Sequence, residues 1–395
     1  MLYKLLAECD RERFQPVVIS LIDRGALRKR IEALGIEVHT TRMMPGLPSP
    51  LGLVRLVRLM RRLEPELVVG WMYHSCFAAQ LANLFLPRRA TVLWSIHYSI
   101  SSLTSEKKLT AAVIRISARL SKLASHIIFV SRASQIQHKP LGFHLNESSV
   151  IPNGINVNEF VPSLACRTSV RSELGLADDA LLVGLMGRYH PMKDHANFLQ
   201  AAALISEKHS KVHFLLIGRG VDQDNHRLRS SIEKLGLTQR THLLGERDDI
   251  PRLAAALDIF SLSSAYGESF PNVIGEAMAC EVCCVVTDVG DARWIIGDAG
   301  CVVPPRDPRA LADAWEQMIA IGPTGRKAFG RAARSRVIER FTLKSVVARY
   351  HARYDKLLTT ETSAQGELAA IAELQCPPDN HDVRDLDASM QTGSV

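Results

Sequence analysis

The sequence predicts an α/β protein with two doubly wound parallel sheets. Short apolar runs that suit buried strands alternate with helical patterns, and the connections between them are short. This alternation starts twice, before and after a stretch near residues 156–175. At 395 residues and 47% hydrophobic content, the chain can bury two cores of ordinary size. Two such sheets predict a cleft between the carboxyl ends of their strands.

In the first half, runs rich in β-branched residues predict strands, and apolar residues at helical spacing predict helices. In chain order these are a helix at 1–9, a strand at 14–21, a helix at 26–34, a strand at 36–40, a helix at 50–63, a strand at 67–71, a helix at 75–84, a strand at 90–96, a helix at 107–123, and strands at 126–130 and 150–155. Two of the helices, at 50–63 and 107–123, are amphipathic with basic polar faces. The basic residues of the first are Arg55, Arg58, Arg61 and Arg62.

The same two signals recur in the second half of the chain. They predict a strand at 181–186, a helix at 194–206, a strand at 212–217, a helix at 226–235, a strand at 241–244, a helix at 250–257, a strand at 258–264, a helix at 273–280, a strand at 283–287, a helix at 291–296, a strand at 300–303, and helices from residues 308, 323 and 343. Pro at three of these helix starts (Pro271, Pro308 and Pro323) suits the first turn, where its missing N–H costs nothing.

From these patterns we expect four segments. Residues 1–160 form one Rossmann-like domain, and residues 175–340 form a second. Residues 341–358 form a helix that packs back toward the first domain. Residues 359–395 hold seven acids, one Arg and a Pro-Pro pair, a composition typical of a disordered tail.

Charge and composition narrow the functional classes. Residues 1–150 carry 21 Lys and Arg against 10 Asp and Glu, whereas the remainder has a small acidic excess. A basic half suits three kinds of partner: nucleic acid, an anionic membrane surface or a diphosphate-bearing substrate. We rank nucleic acid last, because few aromatic residues are interleaved with the basic ones and the sequence has no nucleic-acid motif. No apolar run reaches the roughly 18–20 residues of a membrane span, and no signal peptide is recognisable, so we expect a cytoplasmic protein.

The eight cysteines do not predict a metal or redox site. Cys280-x-x-Cys283 has suitable spacing, but its second half lies in a predicted buried strand, and no partner pair accompanies it. We therefore expect buried free thiols and no metal.

The most informative stretch runs from Tyr266 to Met278, between two predicted strands. Ser269 is a candidate N-cap for the helix that follows, and the free N–H groups of that helix start form an anion site. A phosphate held there would place a nucleotide ribose near Glu276 and a sugar near Glu268, with Gly267 and Gly275 leaving room for the ligand. The alternative is a solvated helix face with a capping acid.

Two further positions at strand ends point to the same cleft. Arg188 and Lys193 follow the first strand of the second half and would suit a diphosphate, although surface cations are an open alternative. His97 ends a strand of the first half and would face the cleft, although a His at such a place is more often a packed or capping residue.

The pattern Glu268-Ser-Phe-Pro-Asn-Val-Ile-Gly-Glu276 resembles the Glu-x7-Glu signature of the family-4 retaining glycosyltransferases. The segment Gly187-Arg188…Lys193 is similar to that family's donor-phosphate motif, and residues 245–250 to its base-lining loop, where backbone groups would contact the base. The resemblance implies the GT-B fold, with residues 1–160 as the acceptor-side domain and residues 175–340 as the nucleotide-sugar-binding domain. It also implies that His97 and Glu268 lie at the transferred sugar. The implied donor-binding residues are Arg188, Lys193, Ser269, Phe270, Asn272 and Glu276. It also implies that the chain crosses between the domains at 153–155.

As a member of that family, the protein would transfer a sugar from a nucleotide-diphosphate sugar to a saccharide acceptor, with retention of anomeric configuration. We expect a lipid-linked acceptor, a role in surface polysaccharide or glycolipid assembly, and no cofactor beyond the donor. The basic helices suggest peripheral contact with an anionic membrane at its inner face, with a solvated helix face as the alternative. Two rival functions are a GT-B nucleotide-sugar epimerase, which the Glu-Ser-Phe-Pro-Asn turn disfavours, and an impaired or non-catalytic sugar-nucleotide-binding protein.

One departure from the family concerns the start of the chain. Family members begin with an apolar strand and a Gly-rich loop, whereas this sequence begins inside the helix that follows. Because that strand is central in a doubly wound sheet, we expect its neighbours to lose hydrogen-bond partners on both sides. Either the start codon is assigned too late or the polypeptide is impaired. We expect the former, and an upstream in-frame segment without an apolar strand and a glycine pair would contradict it.

Overall fold

The computed structural model describes residues 1–374 except 24–26, 45–48, 101–102 and 104–106, and it describes side chains up to residue 359. All strand pairs within this part of the chain are parallel. They form one continuous sheet in the second half and two separate sheets in the first. The predicted α/β class with two doubly wound halves is confirmed.

The first half runs from α1 to β6. Its elements are α1 (Leu2–Ala7), β1 (Val18–Ile22), α2 (Arg28–Glu32), β2 (Val38–Met43), α3 (Pro50–Leu63), β3 (Leu67–Trp71), α4 (Met72–Asn83), β4 (Thr91–Ile96), α5 (Lys108–Leu120), β5 (His126–Phe129), α6 (Arg132–His138) and β6 (Ser148–Val150). The predicted bounds of α3 and β3 agree with the structure because a cap marks the helix start and an unbroken apolar run marks the strand. Ser49 accepts the N–H of Gly52, with Pro50 in the first turn.

The second half runs from α7 to α15. Its elements are α7 (Leu164–Glu173), β7 (Leu181–Met186), α8 (His195–Lys208), β8 (Val212–Ile217), α9 (His226–Lys234), β9 (Thr241–Leu243), α10 (Ile250–Ala254), β10 (Ile259–Leu262), α11 (Asn272–Ala279), β11 (Cys283–Thr287), α12 (Ala292–Ile296), β12 (Gly300–Val303), α13 (Pro308–Ala320), α14 (Gly322–Arg340) and α15 (Leu343–Leu374).

The six strands of the second half follow the order β12-β11-β10-β7-β8-β9. The sheet grows in one direction from β7 to β9 and in the other from β10 to β12, so the order reverses between β7 and β10. One apolar core covers each face of the sheet: one contains Phe260, and the other contains Phe214 and Trp315. In a sheet of this order, ligands bind beyond the carboxyl ends of the strands at the reversal.

The six strands of the first half are divided between a β1-β2 sheet and a β3-β4-β5-β6 sheet. Within the described residues, β1 and β3 each lack a strand partner on one edge, as expected, but not on both edges, because β1 keeps β2 and β3 keeps β4. Helices join the two sheets on both faces. In α1, Leu6 belongs to an apolar cluster that includes residues of β1 and β2, and Leu5 belongs to one that includes residues of β3 and β4. Helices α3 and α4 contact both Ile19 of β1 and Val68 of β3.

The chain crosses between the halves at two adjacent points. Ile155 forms a parallel bridge with Thr342, where the chain returns from the second half. Helix α15 then packs on the first half, where Val346, Val347 and Tyr350 share a core cluster with residues of β4 and β5.

Three sequence predictions need correction. The expected linker at 156–175 contains α7, capped by Ser163, whose hydroxyl accepts the N–H of Cys166. Helix α6 was not predicted, because seven residues of mixed polarity give little periodic signal. Helix α15 continues to Leu374, beyond the predicted start of the tail at 359, because residues 359–374 are rich in the strong helix formers Ala, Glu and Leu. Residues 375–395 lie outside the described part of the chain.

Candidate active site

The candidate site lies where the strand order of the second half reverses. Residues after β7 and residues after β10 meet at this point, since both strands end at the same sheet edge. The segment after β7 carries Arg188 and Lys193, and the segment after β10 carries Glu268. The sequence therefore places its three predicted charged groups on neighbouring strand ends.

Lys193 and Glu268 form an ion pair. The Lys193 ammonium donates to Glu268 Oε1 at 2.5 Å, and the Ser264 hydroxyl donates to the same oxygen at 2.6 Å. Glu268 is only 7% exposed, so it is held by this cation and this hydroxyl rather than by water. Gly187 makes room for the Lys193 side chain, because a Cβ there would lie 3.2 Å from Lys193 Cε. The predicted phosphate cation and the predicted sugar carboxylate are thus direct partners.

Glu276 lines a cavity of about 440 Å³ beside the ion pair. The cavity is bounded by the ends of β7 and β8, by the loop after β9 and by α11. Its charged lining residues are Arg188, Arg219, Glu246, Arg247 and Glu276. Burial raises the pKa of Glu276, and the positive charge of Lys4 partly opposes this effect. A carboxylate inside a cavity lined by cations suits a polar anionic ligand.

The three arginines of this cavity are held differently. Arg247 makes a two-point contact with Asp249, from Nε to Oδ1 and from Nη2 to Oδ2, and also reaches Glu173. By contrast, Arg188 and Arg219 form no ion pair with a carboxylate in the described part of the chain. The guanidinium groups of Arg188 and Arg219 therefore remain available to an anion beyond the carboxyl ends of β7 and β8.

Sequence reasoning missed Arg219 and Glu246 as cavity residues. Arg219 lies in the Gly218-Arg219-Gly220 turn, whose sequence indicates no more than a tight turn, and Glu246 lies in the segment at 245–250 that was expected to contact the base through backbone groups. The signal was present, because the two turns follow the neighbouring strands β8 and β9 and both carry charge at the carboxyl end of the sheet.

The predicted donor-binding residues of the turn before α11 occupy different surroundings. The Ser269 hydroxyl lies 2.8 Å from the Ser131 hydroxyl of the first half, and Asn272 Oδ1 accepts from Asn153 Nδ2 at 2.9 Å. These contacts bring the carboxyl ends of the two halves together. Phe270 is a correction: its side chain is buried against Trp294 and Phe341 and does not face the cavity.

Two local interpretations of this turn are also wrong. Helix α11 begins at Asn272 with Pro271 as its N-cap, and the hydroxyl of Ser269 contacts Ser131 rather than the helix. The glycines make room for protein rather than ligand. A Cβ on Gly267 would lie 2.9 Å from Met192 Sδ, and one on Gly275 would lie 2.8 Å from Ile155 Cγ1.

His97 lies at the end of β4 and is packed against Trp71. The two rings are stacked with centroids 4.1 Å apart, and His97 Nε2 lies 2.9 Å from Ser95 Oγ. Burial lowers the pKa of His97 to about 3, so the ring is neutral at neutral pH. In the described residues no hydrogen bond joins His97 to Lys193 or Glu268, and its role at a sugar stays a prediction.

The described residues hold no cluster of three His, Cys, Asp or Glu side chains suited to a metal ion. Cys280, Cys283 and Cys284 are buried free thiols, as the sequence predicted, and burial raises the pKa of the first two to about 12. In the same part of the chain, no helix has both the length and the hydrophobicity needed to cross a bilayer.

Solved structures with the same arrangement define the class. A protein from Anabaena, Alr3699/HepE, has been solved in complex with UDP. It superposes with a TM-score of 0.78 over 90% of this chain and 95% of that one, at 24% identity. Its complex with UDP and glucose superposes with a TM-score of 0.76 at 25% identity. This architecture of two Rossmann-like halves is the GT-B glycosyltransferase fold.

Sequence comparison identifies the family within that class. The family described as Glycosyltransferase Family 4 matches residues 1–159, and the one described as Glycosyl transferases group 1 matches residues 180–320. Together the matches span well over half of the sequence. The chain belongs to the family-4 glycosyltransferases of the GT-B fold.

Individual relatives match only part of the chain. A phosphatidyl-myo-inositol mannosyltransferase of Mycobacterium leprae is 33% identical over 198 residues, which is 49% of each chain. A UDP-Gal:alpha-D-GlcNAc-diphosphoundecaprenol alpha-1,3-galactosyltransferase of Escherichia coli is 31% identical over 150 residues, or 38% of each. The chain thus spans about half the length, or less, of these curated relatives.

Proposed function

We propose that the protein is a glycosyltransferase that moves a sugar from a nucleotide-diphosphate sugar to a saccharide acceptor. The observation that carries this proposal is the cavity lined by Arg188 and Glu276 beside the Lys193–Glu268 ion pair. It combines available cations for a diphosphate, a carboxylate for ribose hydroxyls, and a second carboxylate for the sugar. Family membership and the UDP complexes of Alr3699/HepE support the same ligand class.

In this proposal, Arg188, Lys193 and the start of α11 bind the diphosphate, and Glu276 binds the ribose. Lys193 has a second task, because its ammonium also fixes the orientation of Glu268 toward the sugar. Asn272, at the start of α11, and Ser269 would contact the donor through polar atoms that their hydrogen bonds with the first half do not use. As the glycosidic bond breaks, these cations stabilise the charge that develops on the leaving diphosphate.

Retention of configuration follows if the leaving phosphate takes the proton of the acceptor hydroxyl on the same face of the sugar. Cations and a helix start would supply the charge stabilisation that a metal supplies elsewhere, so the proposal includes no metal or other cofactor. His97 would lie on the acceptor side as a neutral ring. A neutral imidazole offers one donor and one acceptor to sugar hydroxyls.

We infer that the acceptor is lipid-linked and that the enzyme works at the inner face of a membrane, in surface polysaccharide or glycolipid assembly. The two relatives named above act on lipid-linked substrates according to their names. In α3, Leu51 is 70% and Val54 44% exposed beside the exposed Arg55 and Arg58. Exposed apolar residues next to cations suit peripheral contact with anionic lipid.

The two alternatives are distinguishable by turnover. An epimerase would convert the donor sugar without an acceptor, and a binding-only protein would bind donor without converting it. Neither alternative accounts for the pairing of Lys193 with Glu268 at the sugar position as directly as transfer does.

The test is release of nucleoside diphosphate from UDP- and GDP-sugars, with and without a membrane extract as the acceptor source. We expect turnover that depends on the extract, and a loss of about 100-fold or more in kcat for Glu268→Gln. Glu233→Gln on the exposed face of α9 is the control and should match the wild type. Turnover that ignores the acceptor, or a fully active Glu268→Gln variant, would contradict the proposal.

A further inference from the structure

Asp291 joins the two halves of the molecule at the candidate site. It lies between β11 and α12, yet its carboxylate contacts the start of α6 in the first half. Oδ2 accepts the N–H of Arg132 at 2.7 Å, and Oδ1 accepts the N–H of Ala133 at 2.9 Å. The residue is only 4% exposed, so both hydrogen bonds form out of contact with water.

The backbone of Asp291 is fixed to the turn that carries Glu268. The Asp291 N–H donates to the Ser269 carbonyl at 3.0 Å. The preceding residue, Gly290, approaches so closely that a Cβ there would lie 2.3 Å from the Glu268 carbonyl oxygen. A displacement of the Asp291 carboxylate by α6 is therefore transmitted to the backbone of Glu268 and Ser269.

Two neighbouring contacts lie across the same boundary. The Ser131 hydroxyl, which caps α6 by accepting the N–H of Ser134, also lies 2.8 Å from the Ser269 hydroxyl. The guanidinium of Arg132 lies over the Trp294 ring at 4.4 Å. Only the Asp291 contact uses a side chain that must be anionic, because both of its partners are N–H donors and an amide would offer one acceptor and one donor.

We propose that Asp291 is a positioning residue that holds the first half of the molecule against the turn carrying Glu268. This inference rests on the proposed function, because the Asp291 contact would place the acceptor-side groups of the first half beside the donor sugar. Breaking it should lower the rate of transfer and leave nucleotide affinity intact. Among the residues that the structure describes, those that line the donor cavity all belong to the second half.

Two variants break the contact from opposite sides. Asp291→Asn keeps the shape of the side chain but presents an NH₂ group to one backbone N–H. Arg132→Pro removes the N–H that Oδ2 accepts, at the first position of α6, where proline is tolerated after the extended Ser131. Arg132→Ala keeps that N–H and removes the guanidinium that Arg132→Pro also removes, with its contact to Trp294 and its charge near Asp291, so it is the matched control. Asp288→Asn, three residues before Asp291 and paired with Arg293, controls for loss of charge.

For Asp291→Asn and Arg132→Pro we expect kcat to fall about 10- to 100-fold. Their nucleoside diphosphate affinity should stay within about twofold of the wild type. Small-angle X-ray scattering without ligand should show a larger radius of gyration for both variants than for the two controls. If one of these two variants fails to fold, the other variant alone tests the proposal.

Unchanged kcat and unchanged scattering in the folded variants would overturn the proposal. A parallel loss of nucleotide affinity would also overturn it, because it would show a purely local role in the second half. Failure of the proposed function is distinguishable, since then the wild type would not turn over. The scattering of the ligand-free variants would still decide whether Asp291 holds the halves together.

Discussion

The two halves of this protein use the same β/α alternation but differ in the continuity of their sheets. The second half has six strands in one sheet, and every residue of β10 and β11 is buried. The first half has two sheets, and every residue of β1 is only partly buried. The candidate donor site is built almost entirely on the continuous sheet. A rigid framework thus lies under the residues whose geometry the chemistry depends on.

The physical difference lies in backbone pairing. β1 pairs only with β2, and β3 pairs only with β4, so each has one edge without a strand partner in the described residues. Strand edges that lack partners open more easily, because fewer hydrogen bonds and fewer buried contacts must be broken. We therefore expect the first half to be the less stable part, and the predictions below test this difference.

The largest difference should come from core truncation. Phe260→Ala in β10 removes a fully buried ring, and we expect a loss of about 3–5 kcal/mol in the free energy of unfolding. Ile19→Ala in β1 truncates a half-buried side chain and should cost only about 1–2 kcal/mol. Denaturant unfolding measures both, and Phe260→Leu, which keeps a large apolar side chain at this position, is the milder control. Equal losses would show that the first half is packed as tightly as the second.

Hydrogen exchange should separate the halves without mutation. We expect the amides of β1 and β2 to be protected at least about 100-fold less than those of β7, β8 and β10. Exchange followed by mass spectrometry on peptides from each strand gives this ratio directly. Comparable protection in both sets would remove the basis of the comparison.

Acidification should have a smaller effect on the free energy of unfolding. Burial lowers the pKa of His138 to about 4, and its neutral ring lies 2.7 Å from the Tyr73 hydroxyl and 2.6 Å from the Ser134 carbonyl oxygen. The unfolded chain binds this proton near pH 6.5 and the folded chain only near pH 4, so stability falls as pH drops through that window. Between about pH 6.5 and pH 5 the loss from this residue is up to about 2 kcal/mol.

The variant His138→Gln tests that assignment. It removes the titrating group, so its melting temperature should fall less steeply between about pH 6.5 and pH 5 than that of the wild type. His126 and His97 also have lowered pKa values in the first half, at about 4 and about 3, so part of the slope should remain. An unchanged slope in the variant would contradict the assignment to His138.

Much of the fold was predictable because its signals are local. Short apolar strands, caps such as Ser49 and the Glu268…Glu276 spacing depend on neighbours in sequence. Contacts between distant residues were not predictable in the same way. The Lys193–Glu268 pair joins residues 75 positions apart, and the Asp291 contact with Arg132 joins residues 159 apart.

The errors have the same origin. Phe270 was assigned to the donor because it lies within the motif, yet its ring packs with Trp294 and Phe341, and sequence spacing alone does not reveal which way a side chain in a turn points. The strands of the first half are divided between two sheets because of the way they pair. Strand pairing depends on the topology of the whole half and not on any one segment. Arg219 was overlooked because a lone Gly-x-Gly turn has many uses.

Calorimetric titration with nucleoside diphosphates tests most directly the claim that the second half forms a donor site. The comparison is between the wild type, Glu276→Ala and the exposed-face control Glu233→Ala. We predict selective binding of one nucleoside diphosphate by the wild type and the control, and a loss of at least about 10-fold in affinity for Glu276→Ala. A folded wild-type protein that binds none of them, or a Glu276→Ala variant that binds as tightly as the control, would contradict it.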